Sequence, residues 1–179
     1  MTDFPKAYVC YMVEFHASRD YFECHELLEE YWKEHLDDSL ADTWVGLIQL
    51  AVALYHERRG NLRGANKMYV QAERRLSAAP LERIGIDQQH LLIQIGERIA
   101  ALHANEKSPY TDINMSIIDS ELLALCLQQC EERGLEWLAP SPLHNDSIIH
   151  RHTLRDRSDV IAARQRAYRS KKREHSGEI

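Results

Sequence analysis

The chain holds an imidazole and a carboxylate at a spacing that lets them act as a pair. His25 and Glu29 are four residues apart, which places both on one face of a helix. A carboxylate against an imidazole can serve as a general base with its orienting partner. The two groups also suit a divalent transition metal such as zinc, iron or nickel. His25 and Glu29 are therefore the first candidates for catalytic or metal-binding residues.

A second pair of polar residues interrupts an apolar run further along the chain. Residues 44–55 read WVGLIQLAVALY and are apolar on every side apart from Gln49, so this helix should be surrounded by protein. His56 follows Gln49 by two helical turns and shares its face. Unpaired buried amides and imidazoles are costly, so both should have partners on a neighbouring helix. The sequence thus predicts a polar pocket of His25, Glu29, Gln49 and His56 between two antiparallel helices, with the two histidines and Glu29 as catalytic candidates.

A metal site would draw on one further histidine. His16 precedes His25 by nine residues and can reach the same place, which gives His16, His25, His56 and Glu29 as candidate ligands. The order His25-Glu26-x-x-Glu29 is neither the HExxH motif nor the Glu-x-x-His pairs of di-metal bundles. No Ser or Cys nucleophile arrangement stands out, and Cys24 points about 100° away from His25 on a helix.

The segment after the apolar run has two compatible interpretations. Gly60 and Asn61 are typical of a helix hairpin, in which one helix stops and the next is capped. Arg59 and Arg63 flank the start of the second helix, where backbone N–H groups favour anions. Gln49, Arg59, Asn61 and Arg63 are therefore candidates for binding a small anionic ligand.

Three interpretations of the polar cluster remain open. It is a hydrogen-bond network that fixes helix register, a transition-metal site, or a metal-free small-molecule site.

Helical periodicity and capping signals extend along most of the chain and predict an all-α antiparallel bundle of about five to six helices. The expected caps are Asp20, Thr43, Asn61, Asp87 and Asp119, and Pro5 opens the first helix. The predicted helices are 5–16, 21–36, one from Thr43 to the stop at Gly60, 62–77, 88–103 and 120–132.

Charge divides the chain into an acidic body and a basic tail. Residues 150–179 contain nine Lys or Arg and four acids, and the preceding residues contain 13 basic and 24 acidic side chains. We expect a bundle domain over 5–135, a linker over 136–150, and a partly helical tail over 151–179. The alternative function is a scaffold or interaction module whose tail contacts an acidic partner or nucleic acid nonspecifically.

Cysteine usage and the N-terminus favour a cytoplasmic protein without membrane association. The four cysteines include no CxxC pair, and Cys126 and Cys130 are expected to be core residues rather than zinc ligands. The first residues, MTDFP, lack the basic start of a signal peptide.

The runs HASRDYFECHELLEEYWKE and GLIQLAVALYHERRGNLRGA together resemble the domain of unknown function 309 family. The resemblance is close over about 10–80 and looser to about 135. It implies a small all-helical bacterial protein, with relatives in archaea and plastids, and no established activity. By this resemblance the family's polar-motif positions are His16, Asp20, Glu23, His25, Glu26, Glu29, Trp32, Gln49, His56, Arg59, Gly60, Asn61 and Gly64.

Overall fold

A computed structural model describes residues 3–154 and residue 165. The helices over that part are α1 (Lys6–Val13), α2 (Tyr21–Glu34), α3 (Ala41–Arg58), α4 (Leu62–Ala78), α5 (Gln88–His103), α6 (Ser120–Arg133), and two single turns, α7 (Asp146–Ile149) and α8 (Arg151–Leu154). A π-helical turn, Glu14–Ser18, extends α1, and a 3-10 turn, Leu81–Ile84, precedes α5. The described residues contain one isolated bridge, Ile86 with Ile117, and no strand. The all-α helical bundle is confirmed.

The helix starts follow local capping chemistry. The side chain of Asp20 accepts a hydrogen bond from the Glu23 N–H, and Asn61 accepts one from Gly64. Asp87 and Asp119 cap α5 and α6 in the same way. These four predicted caps are confirmed. They could be predicted because an N-cap depends on only a few neighbouring residues. The expectation for Thr43 is wrong: α3 begins at Ala41, and Thr43 is buried in its first turn.

The central helix is α3, which packs against α2 on one side and α4 on the other. Buried residues occur on all of its faces, as its apolar sequence predicts. The two helices α3 and α4 lie close together at Gly46, where an added Cβ would lie 2.7 Å from Leu76 Cδ2. The remaining packing joins α4 to α5, and α1 to α2 and α6.

Residues 1–149 cluster into one compact unit and residues 150–179 into a second. Within the segment expected to be a linker, Trp137 packs against the core and Ile149 is buried. In the second unit, the Thr153 hydroxyl donates to the His150 carbonyl within the turn that includes α8. The predicted basic tail otherwise lies outside the described residues, apart from Gln165. None of the described helices has the length and apolar character needed to cross a membrane.

Candidate functional site

His25 and Glu29 lie together on α2, as their spacing predicts. His25 Nε2 is 3.8 Å from Glu29 Oε2, and His25 Nδ1 is 3.1 Å from Glu26 Oε1. All three side chains are partly exposed. One ligand atom from each lies within 4.8 Å of the other two, and no other group of three or more His, Cys, Asp or Glu side chains in the described part of the chain does this. We call His25, Glu26 and Glu29 the α2 site.

Glu26 is the member of the α2 site that was not among the candidate ligands chosen from the sequence, although the family resemblance places it at a polar-motif position. Its position on the helical wheel assigns it to the solvent side, away from the apolar stripe. His25 stands at the edge of that stripe and is 29% exposed, so its ring can contact a neighbour on the exposed side. The position of His25 at the stripe's edge and the family resemblance were the available signals.

Gln49 has a different partner from the one expected. Its Nε2 donates to Gln71 Oε1 of α4 at 3.1 Å, and its own Oε1 is buried with no hydrogen-bond partner among the described residues. The face of α3 that carries Gln49 therefore meets α4 at this level. The hydrogen bonds and ion pairs of the described residues do not join Gln49 to His25 or Glu29. These contacts therefore do not include the predicted convergence of His25, Glu29, Gln49 and His56.

His56 lies at the other end of the same helix face. The Asn61 Nδ2 group donates to His56 Nδ1 at 3.2 Å. Burial, and then the nearby Arg59 guanidinium, lower the pKa of His56 below its usual value. The ring is therefore neutral near pH 7, and its hydrogen bond links the end of α3 to the cap of α4.

His16 is fully buried, and both of its ring nitrogens are occupied. Nε2 accepts a hydrogen bond from the Met115 N–H at 3.0 Å, so Nδ1 carries the proton and donates to the Met12 carbonyl at 2.9 Å. Its ring lies against Trp137 and Phe15. Burial lowers the pKa of His16 to about 3. With both nitrogens bonded, His16 has no lone pair left for a metal and acts as a structural residue.

The predicted anion site at the start of α4 is organised as a cap. Asn61 Oδ1 occupies the Gly64 N–H at 3.0 Å, and a Cβ on Gly64 would lie 2.6 Å from the Asn61 amide. Gly64 therefore makes room for the Asn61 side chain that caps the helix. The Arg59 guanidinium lies over the Tyr55 ring at 5.0 Å, and Arg63 is exposed. The helix-hairpin interpretation accounts for these contacts.

The thiols are structural. Cys24, Cys126 and Cys130 are buried, and all four cysteines are free. Burial raises the pKa of the Cys24, Cys126 and Cys130 thiols, which disfavours the nucleophilic thiolate.

A largely buried polar network around Asp112 was not foreseen from the sequence. The carboxylate accepts hydrogen bonds from the Tyr21 hydroxyl at 2.9 Å and from the Ser141 N–H at 2.8 Å. Tyr110 donates to it at 3.0 Å, and Arg19 Nε is 3.9 Å away. Burial alone would raise the pKa of Asp112, but the hydrogen bonds from Ser141 and Tyr21 and the charge of Arg19 together hold the pKa below its usual value. Asp112 and Ser141 lie outside the helices, where periodicity gives no signal.

The chain is similar in sequence to known proteins of one family. Residues 8–68 match the family described as Domain of unknown function (DUF309). The uncharacterized protein YpuF of Bacillus subtilis (strain 168) is 43% identical over 175 residues, which is 95% of this chain and 98% of the relative. No solved structure matches the chain. A relative this similar over nearly the whole length of both chains shows the family, and the chain belongs to the DUF309 family.

Proposed function

We propose that the protein binds a divalent transition metal ion at the α2 site, through His25, Glu29 and Glu26. The observation that carries this proposal is the convergence of one imidazole and two carboxylates within 4.8 Å on a partly exposed helix face. Imidazole with carboxylate is a ligand set suited to zinc, iron or nickel. The open side leaves positions for water, as in metal sites that exchange ligands.

The spacing of the ligand atoms supports this proposal. Zinc bonds to nitrogen and oxygen are about 2.0–2.2 Å long, which puts two ligands of a tetrahedral ion roughly 3.4 Å apart. His25 Nε2 and Glu29 Oε2 are 3.8 Å apart, so a few tenths of an ångström of side-chain adjustment bring them to that distance. An i, i+4 pair needs no change in the helix backbone for this movement.

The proposed ligand set is smaller than the one suggested by the sequence. His16 is excluded because both of its ring nitrogens are hydrogen-bonded in the core. His56 is left out because its Nδ1 accepts from Asn61 near the end of α3. The loss of these two histidines makes Glu29 the decisive residue, since it provides the carboxylate one turn from His25.

The test is metal titration of the untagged protein, because a polyhistidine tag would bind the same ions. Binding of Zn²⁺ is measured by calorimetry, and Co²⁺ absorption reports the ligand geometry. Glu29→Gln keeps the side-chain size and removes the charge. Loss of a second-shell partner costs roughly 10–100-fold in affinity, so loss of this direct ligand should cost at least about tenfold.

The matched control is Glu30→Gln, an exposed carboxylate on the same helix outside the α2 site. It should bind metal as the unmodified protein does. The proposal fails if Glu29→Gln retains full affinity, or if both variants lose the same amount, because general negative charge would then explain the binding.

A cytoplasmic location is also part of the proposal. It is supported by four free cysteines and no disulfide among the described residues.

A further inference from the structure

A second site is suggested by a cleft on another part of the bundle. The cleft has a volume of about 900 Å³ and is bounded by the end of α3, the C-terminal half of α5 and the segment 105–111. This volume is within the range of pockets that hold small organic ligands. Its wall combines apolar side chains such as Leu102 with an aromatic ring, Tyr110, and with the guanidinium-bearing residues Arg58 and Arg98.

Arg58 is the unusual component of this wall. The residue is only 8% exposed, and its Nη1 donates to two neutral oxygens, the Arg19 carbonyl at 2.8 Å and Ser141 Oγ at 3.0 Å. Its Nε and Nη2 are shielded from solvent and have no hydrogen-bond partner in the part of the chain that the structure describes. Buried guanidinium groups are normally paired with an acid, since an unpaired buried charge is strongly unfavourable.

The two unpaired nitrogens form a recognition edge. In a guanidinium group, the Nε–H and one Nη–H point the same way and can donate in parallel to two oxygens of a carboxylate or phosphate. Nη1 is taken by protein oxygens and the Tyr21 ring lies 4.5 Å from the Arg58 Cζ, so the group is held in place from two sides. The remaining edge is the one suited to bidentate binding of an oxyanion.

The ion pairs found among the described residues do not include Arg58. Asp112 accepts from Tyr21, Tyr110 and Ser141 and lies 3.9 Å from Arg19, so its oxygens are committed elsewhere. Glu57, an acid that lines the cleft, is bound by Arg98 Nη1 at 2.7 Å and by the Tyr69 hydroxyl. Arg19 therefore has a carboxylate nearby, whereas the hydrogen bonds of Arg58 to described residues go to neutral oxygens.

Arg98 shapes the cleft rather than competing for its ligand. Besides Glu57, it donates from Nη2 to Thr111 Oγ1 at 2.7 Å, and its Cζ is 5.9 Å from the centre of the Tyr110 ring. These contacts tie α5 to the segment 105–111. The aromatic and apolar surface next to Arg58 is thereby held where the organic part of a ligand would lie.

We propose that this cleft binds a small organic oxyanion, a carboxylate or a phosphate monoester with an apolar group, whose oxygens pair with the Nε and Nη2 edge of Arg58. Arg58 forms part of the cleft wall, so an anion bound in the cleft lies beside this side chain. The apolar group of the ligand packs against Tyr110 and Leu102. This site involves other residues than the α2 site, and the two proposals stand or fall separately.

The test uses three probes: benzoate, phenyl phosphate and inorganic phosphate. Each is titrated into the ¹⁵N-labelled full chain, and amide shift changes are followed by NMR. Binding of benzoate and phenyl phosphate with shifts around the end of α3 and residues 101–111 is the expected result. The relative affinities of the three probes distinguish carboxylate from phosphate, and show whether the apolar group contributes.

Two variants locate the binding. Arg58→Lys keeps the charge but lacks the parallel donors, and should weaken probe binding about tenfold or more. Because Arg58→Lys can also disturb the core, Ala101→Trp is the second variant: it fills the cleft from α5 without touching Arg58 and should abolish binding. Its matched control is Ala100→Trp, on the exposed neighbouring position outside the cleft, which should bind the probes normally.

The binding results for these variants either support or overturn the proposed cleft site. Loss of binding in Ala101→Trp with retention in Ala100→Trp supports the cleft, and a further loss in folded Arg58→Lys supports the role of its side chain. The proposal is overturned if none of the probes shifts these amides, or if Ala101→Trp binds them as the unmodified protein does.

Discussion

The imidazole of His16 accepts a hydrogen bond from the backbone N–H of Met115, at 3.0 Å, across 99 residues of sequence. The bond ties the turn after α1 to the chain segment before α6, inside the core. It also fixes the chemistry of the ring, because Nε2 can accept only while it is unprotonated. A core contact between the turn after α1 and the segment before α6 thus depends on a neutral histidine.

The first prediction is a pH dependence of stability that arises from His16. Burial lowers the pKa of His16 from 6.5 to about 3 in the folded state. The unfolded chain therefore binds more protons between these two pH values, and stability falls as the pH drops through this window. Between pH 7 and pH 4, His16 alone should cost on the order of 3 kcal/mol of unfolding free energy.

Urea unfolding at pH 7 and pH 4 measures this effect, with His16→Gln as the comparison. The variant cannot take up the proton, so its loss of stability between the two pH values should be smaller by on the order of 3 kcal/mol. The carboxylates titrate in both proteins and cancel in the difference. Equal losses in the two proteins would show that His16 is not held neutral by the fold.

The helices could be predicted from the sequence because their signals are local. Caps such as Asn61 and Asp87 act over three residues, and the apolar run of α3 requires burial whatever surrounds it. The π-helical turn at Glu14–Ser18 was not predicted, because the chain reads as continuous helix there. It ends at Arg19 with a φ of +57°, an unusual conformation for a residue with a side chain, and only tertiary contacts explain it.

The site was predicted less well because it depends on how helices are rotated against each other. Helical spacing correctly placed His25 beside Glu29 on one helix. Helical spacing does not predict that Gln49 faces Gln71 on α4, because that contact depends on the rotation of α3 about its axis. Asp112 and Ser141 come from connecting segments 29 residues apart, and their contact follows from the folded path of the chain.

The second prediction is that Arg19→Lys is strongly destabilising. Arg19 donates to the carbonyls of Ala139, Phe15 and Ile113 and to Asn114 Oδ1, and is 1% exposed. A lysine has one nitrogen and cannot reach four acceptors spread around a planar group. The expected loss is about 2–4 kcal/mol of unfolding free energy, measured by urea denaturation.

Arg63→Lys provides the control for Arg19, because Arg63 is exposed on α4. It should change stability by less than about 0.5 kcal/mol. A similar small effect for Arg19→Lys would mean that the carbonyl contacts contribute little.

The third prediction compares two helical glycines. A Cβ at Gly46 would lie 2.7 Å from Leu76 Cδ2 and 3.2 Å from Arg75 Cβ, whereas a Cβ at Gly96 has its nearest neighbour, Glu73 Oε1, at 3.7 Å. Both substitutions to alanine gain about 1 kcal/mol of helix propensity. Gly96→Ala should therefore stabilise the protein, and Gly46→Ala should be less stable than Gly96→Ala by about 1–3 kcal/mol.

Thermal or urea unfolding of the two glycine variants checks this comparison. The shared gain in helix propensity cancels, so the difference measures the crowding between α3 and α4. Equal stability of Gly46→Ala and Gly96→Ala would show that α4 moves away from α3 at little cost.

The last prediction concerns the α2 site and its neighbour Lys33. The Lys33 ammonium is 3.2 Å from Glu29 Oε2, on the same helix, and competes for the oxygen that the proposed metal ion would use. An exposed pair of this kind contributes about 0.2–1 kcal/mol, so removing Lys33 should strengthen metal binding by up to about fivefold. Lys33→Met keeps a good helix former at this position, and Zn²⁺ calorimetry measures the change.

Lys67→Met, which removes an exposed charge from α4, is the control for net charge and should leave the affinity nearly unchanged. Because the competing ion pair is electrostatic, the gain in Lys33→Met should shrink at high salt, and weaker binding in that variant would argue against Glu29 as a ligand.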